Sequence, residues 1–120
     1  YGTDPNWWQL EYARVAVEAG ADLVVGNHAH VVQAMQVIEG VQVFYALGSL
    51  VFDQVWSRET QQSVIARVTF EGKRYLGFEL IPVYYDAEGV IHLAGSAEAE
   101  EILARIEKAS EVLGRIPKTD

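Results

Sequence analysis

Two histidines, His28 and His30, stand two positions apart just past an apolar run and a glycine, in the stretch Gly-Ala-Asp-Leu-Val-Val-Gly-Asn-His-Ala-His that starts at Gly20. Imidazole nitrogen is a common ligand of divalent metals, with Zn–N bonds of about 2.0–2.1 Å. Side chains two residues apart in an extended segment point to the same side, so both rings could reach one metal centre. Paired metals held in this way clamp an oxyanion and activate water. The plainer reading is that the two are loop histidines, one of them capping the following turn.

Further polar residues lie downstream. Asp53 could orient a histidine or cap a turn, since aspartate does either. Gln33, after His30, could contact a substrate or lie at the surface. His92 stands alone on an outer strand and reads as a surface or packed histidine. Glu98, Glu100, Glu101, Glu107 and Glu111 crowd the last helix as a solvated face, with Glu101 and Arg105 one turn apart. A glycine-rich phosphate loop and a cysteine or serine nucleophile motif are both absent from the sequence.

The elements that must position these residues follow from the pattern. Asp4-Pro5 predicts a helix start, with Asp4 as N-cap and Pro5 in the first turn. Trp8, Ala13, Val15, Ala16 and Ala19 form its apolar positions, Gly20 ends it, and Trp7 and Trp8 read as a packing anchor. Residues 23–25 form a short strand of the kind buried in a sheet, and its carboxyl end carries the histidines, where α/β enzymes bind ligands. Residues 35–38 and 41–47 predict two strands joined by a two-residue turn, Glu39-Gly40. From residue 62 the pattern becomes antiparallel: strands at 64–71 and 74–83, with Pro82 at an edge or strand end, and another at 90–93. Ser96 then caps a helix to about residue 113, with Ala99, Ile102, Leu103, Ile106 and Val112 at helical spacing.

The 120 residues fit one piece, with residues 1–55 carrying the candidate site, 62–93 the antiparallel strands and 96–114 the last helix. A net charge of −8 argues against nonspecific nucleic-acid binding and against an anionic membrane surface. With no cysteine there is no disulfide and no cysteine–zinc site. No signal peptide or apolar span of about 18 residues appears in the sequence.

The ordered blocks Gly20-Ala21-Asp22, Gly26-Asn27-His28-Ala29-His30, Gln33, Phe44-Tyr45-Ala46-Leu47-Gly48-Ser49 and Phe52-Asp53-Gln54 resemble the CapA-type poly-gamma-glutamate (capsule) synthesis proteins of the calcineurin-like metallophosphoesterase superfamily. The resemblance implies an α/β fold, the C-terminal part of a four-layer αββα sandwich with mixed sheets. It implies a longer protein with a metal-dependent, phosphoesterase-like hydrolase site, whose remaining ligands lie upstream of Tyr1. His28 and His30 would be metal ligands for Mn, Zn or Fe. Asn27 and Asp53 would be catalytic, and Gln33 and Ser49 would bind substrate. Asn27 replaces the family's frequent histidine, Ala29 its frequent proline, and Ser49 its usual asparagine. Expected partners are the N-terminal part of the same domain, a second copy, an anionic polymer or capsule-synthesis subunits; expected placement is at the cell surface or membrane. On this view the isolated chain is inactive. The alternative is a non-catalytic component of a polymer synthesis or export assembly.

Overall fold

In a computed structural model, residues 2–50, 52 and 54–114 are described. The element order is α1 (Trp7–Glu18), β1 (Val24–Val25), β2 (Met35–Ile38), β3 (Val41–Phe44), α2 (Arg58–Gln61), β4 (Gln62–Glu71), β5 (Arg74–Tyr85), β6 (Ile91–Leu93) and α3 (Ser96–Gly114). The strands form two three-stranded sheets, ordered β1-β3-β2 and β4-β5-β6. The first is mixed: β1 runs parallel to β3 and β2 antiparallel to it. The second is antiparallel throughout. The α/β class expected from the sequence is therefore present, with mixed and antiparallel pairing.

Helix α1 starts two residues later than the sequence predicts. Asn6, not Asp4, is its N-cap, in a capping box with Gln9. The reciprocal bonds satisfy the backbone donors of both Asn6 and Gln9. Ala13 and Val17 are its buried residues, joined by the partly buried Leu10. Trp7 and Trp8 are no packing anchor: they are 63% and 61% exposed, on a face shared with Tyr12. Gly20 closes the helix end with φ +102°, a conformation that favours glycine.

The hairpin β2–β3 turns at Glu39 and Gly40, both at positive φ (49° and 81°), the signature of a type I′ turn, whose twist matches the flanking strands. Alternation along β3 then separates two layers. Val43 and Tyr45 pack with Ala13 and Val17 of α1 and with Ala109 and Leu113 of α3. Phe44 faces the other way, edge-on to Phe78 of β5 with ring centroids 5.1 Å apart. Helices therefore cover one face of the first sheet and the second sheet meets the other. A second cluster, Val32, Val64, Ile102 and Ile106, binds α3 to both sheets.

Strand β5 runs on through Pro82 and is the central strand of its sheet, not an edge. The proline is tolerated because of the side it faces. Its carbonyl accepts from Ala94 N at 3.0 Å, so its missing N–H also points toward β6, where that pairing gives out. At the register shift between Thr69 and Phe70, which pair with Gly77 and Tyr75, the extra residue Leu76 sits on β5. Helix α3 buries Ile102, Ile106, Ala109 and Leu113, while Leu103 and Val112 are exposed. It is tied down by Arg105 Nη1 donating to the buried Gln62 (2.7 Å) and by Ser110 Oγ accepting from Met35 N (2.8 Å). Arg58 holds Glu101 through two nitrogens at 2.9 and 2.8 Å. Among the described residues no helix is long and apolar enough to cross a membrane.

Candidate functional site

The site is built on the parallel pair. Val24 and Val25 align with Val43 and Phe44, so the loops that follow β1 and β3 leave the same edge of the sheet. Gly26 carries β1 past β3: its N–H donates to Phe44 O at 2.7 Å. A Cβ there would collide with the Tyr45 carbonyl. Only glycine lets the chain pass this close, and the histidine loop begins at the next residue.

His28 and His30 both have left-handed backbone, with φ of 84° and 61°. Histidine is among the residues that tolerate this region, at a strain of order 1–3 kcal/mol each. The consequence is that the two side chains do not follow strand alternation. Their ring centroids lie 6.1 Å apart, and both line one cleft of about 480 Å3, a size that suits a small ligand. His30 Nδ1 is 3.2 Å from Ser49 Oγ, and its ring lies 4.9 Å from that of Phe52. The loop after β3 thus reaches the same rim as the loop after β1.

The other expected residues divide. Asn27 is exposed on the cleft wall. Ser49 meets His30. Gln33 lines the cleft but is only 4% exposed, with its amide already bonded on both ends. Asp53 lies outside the described residues. His92 belongs to the other sheet, where it pairs with Asp86 at 2.8 Å and stacks on Tyr84. That hydrogen bond, more than any other contact, holds the Asp86 carboxyl below its ordinary value.

Sequence reasoning missed the second wall of the cleft. It comes from Gly2, Asp4, Asn6 and Gln9. Asp4 is freed for it because Asn6 takes over the cap. The signal was the capping-box spacing Asn6-x-x-Gln9, which competes with Asp4-Pro5. Among the described residues, no lysine or arginine lines this cleft, so they offer an anion there no fixed positive charge.

Imidazoles suit a divalent ion, and here two of them share one cavity. They supply only part of a donor set: among the described residues no three His, Cys, Asp or Glu side chains converge closely enough to hold an ion, and a tight zinc site needs at least three protein ligands.

Residues 1–54 match the family model of the bacterial capsule synthesis protein PGA_cap. The chain is 40% identical over 83 residues to the PGA biosynthesis protein CapA of Bacillus subtilis (strain 168), an alignment covering 69% of this chain and 22% of that protein. It is 40% identical over 65 residues to the capsule biosynthesis protein CapA of Bacillus anthracis, covering 54% of this chain and 16% of that one. The matches thus span well under a third of the length of either curated relative.

Proposed function

This chain is of the CapA type, with residues 1–54 belonging to the bacterial capsule synthesis family, and from that premise we propose that its histidine cleft is one part of a metal-dependent hydrolase site in a protein of poly-gamma-glutamate or capsule biosynthesis. The observation that carries the reading is the pair of left-handed histidines lining one cleft. Backbone strain at two ligand-type residues, on a loop past a strand's carboxyl end, is a cost that function explains and stability does not. The helix–sheet–sheet layering supports the further reading that this is part of a four-layer metallophosphoesterase-like sandwich.

In this reading His28 and His30 hold a divalent ion, with the remaining ligands supplied by polypeptide beyond these 120 residues. The bound ion supplies Lewis-acid polarisation and an activated water. The chain's own residues do the rest. Ser49 fixes the His30 ring through Nδ1, Phe52 walls it on one side, and Asn27 offers an amide at the rim, able to donate and to accept. Asp53 belongs to the same group by its place in the sequence. The alternative, a non-catalytic component that binds anionic polymer or partner subunits, is less well supported at this cleft, because no basic residue among the described ones lines it. That role fits the exposed aromatic face of α1 better.

The test is a titration of the 120-residue chain with zinc or manganese, followed by NMR of the three histidine rings. His28 and His30 are expected to respond together, with weak affinity, and His92 not at all. Equal responses from all three rings, or none from the pair, would remove the metal assignment. An aryl phosphate assay should give no turnover above a His28→Ala/His30→Ala control, since one ligand loop does not make a binuclear site.

A further inference from the structure

Gln33 has the wrong surroundings for a substrate ligand. It is 4% exposed, and both ends of its amide are engaged across the cleft. Its Oε1 accepts from Gln9 Nε2 at 2.6 Å, and its Nε2 donates to Gly2 O at 2.8 Å. Gln9 is in turn fixed by the α1 cap: its Oε1 accepts from Asn6 N at 2.9 Å and its N–H donates to Asn6 Oδ1 at 3.0 Å. On the other side, Gln33 N donates to Ala46 O at 3.0 Å, and Ala34 N donates to Thr3 O at 3.2 Å. An unbroken line of hydrogen bonds therefore runs from the helix cap, through one buried amide, to the segment that carries the histidines.

We propose that Gln33 is a positioning residue: its side chain latches the Gly2–Gln9 wall to the histidine loop and so sets the width and shape of the cleft. The geometry requires an amide. Each of its ends meets a group of opposite hydrogen-bonding character, and the buried Gln33 amide must keep both bonds to be satisfied. A carboxylate could still accept from Gln9 but could not donate to Gly2 O; an alanine would remove both part-buried bonds and untie the wall from the histidine loop. Gln33 thus acts on the histidines through the shape of the wall facing them, without touching a ligand.

The inference concerns the cleft named above as the site, but its test needs no metal. In the metal-free 120-residue chain, Gln33→Ala should shift the ring signals of His28 and His30 while leaving those of His92 in place. Exchange of the Ala34 amide, whose acceptor lies on the latched wall, should speed up roughly three- to tenfold, as expected for the loss of one ordinary hydrogen bond. Gln9→Ala should give the same ring shifts, and the double variant should shift them no further. Gln33→Glu should fall between wild type and Gln33→Ala. Unchanged histidine signals in folded Gln33→Ala protein, or strictly additive effects of the Gln9 and Gln33 changes, would overturn the proposal. If Gln33→Ala fails to fold, Gln9→Ala and Gln33→Glu decide alone: at least one must move His28 and His30 selectively. Zinc titration of the same samples is read separately, so a latch without metal binding would refute the hydrolase reading and leave this one standing.

Discussion

Replacing Gly26 by alanine tests the close passage on which the site is built. The backbone φ there is not in the left-handed region, so the effect is steric and not conformational. The added methyl would sit 3.2 Å from the Tyr45 carbonyl carbon, nearer still to its oxygen, and 3.6 Å from Phe44 O. Carbon atoms in ordinary contact lie about 3.5–4.0 Å apart. None of the obstacles is a flexible side chain, so β1 itself must move off β3 by several tenths of an ångström or more. That stretches the 2.7 Å bond from Gly26 N to Phe44 O, a loss of about 1 kcal/mol. Overpacking of the adjoining core adds roughly 1–3 kcal/mol. The total, about 2–4 kcal/mol, corresponds to a fall in Tm on the order of 8–16 °C for a chain of this size. Thermal melts by circular dichroism, with Gly2→Ala as the control in open space, measure it directly. A Tm within about 2 °C of wild type, well below the cost of one lost hydrogen bond, would refute the steric account. So would a control that falls as far as the variant.

Burial pushes the Tyr45 hydroxyl up to about 12 from its ordinary 10. A pKa raised in the folded state means stability is intact below pH 10 and lost as pH rises from 10 to 12, by about 2–3 kcal/mol. Urea midpoints should fall across that window more steeply in wild type than in Tyr45→Phe, where the Tyr75 hydroxyl, also raised by burial, still titrates; parallel curves would sink the assignment. Ile102 is fully buried between α3 and both sheets, so Ile102→Ala should cost about 2–5 kcal/mol in chemical denaturation, and a cost under about 1 kcal/mol would mean that α3 is not packed as described. The exposed aromatic face of Trp7, Trp8 and Tyr12 should drive self-association of the 120-residue chain. Light scattering should report a dimer or larger that Trp8→Glu weakens, and a monomer at every concentration would contradict it.

Local chemistry was the legible part of the sequence. The apolar run before Gly26, the Glu39-Gly40 turn and the helical spacing of Ile102 and Ile106 each state a preference that nothing elsewhere overrides, and each appears in the structure. The burial of that run was misread: residues 23–25 look like a buried strand, yet β1 lies at the edge of its sheet and Val25 is half exposed. What could not be read were decisions made between distant residues. The cap at Asn6 was open to reading from the spacing Asn6-x-x-Gln9, but what the Gln9 amide goes on to meet, Gln33 in a distant segment, was not. Whether Pro82 lies at an edge depends on where β6 stops. Trp7 and Trp8 look like core by residue type, yet the side of α1 that is buried is set by the small residues Ala13 and Val17, which let the helix lie close on Val43. Gln33 looks like a surface polar group until its two amide partners, 24 and 31 positions earlier in the chain, are in place.

The two sheets are joined at Gly48, and the joint is tight. Its φ is +85°, and a Cβ there would meet Ser63 Cβ at 2.7 Å and Gln62 O at 2.9 Å. Leu47 O on one side accepts from Val64 N at 2.9 Å; Ser49 on the other holds His30. The seam between the sheets and the anchor of an imidazole therefore occupy three consecutive residues. Mechanically they are one part. Sliding of the second sheet against the first would reach His30 through the Ser49 hydroxyl alone, and whatever grips His30 would resist that sliding. A ligand that binds only the assembled cleft must then stabilise the packing of β4–β6 by mass action, although none of those strands lines it. Protection of the β4–β5 amides becomes a remote gauge of occupancy at the histidines.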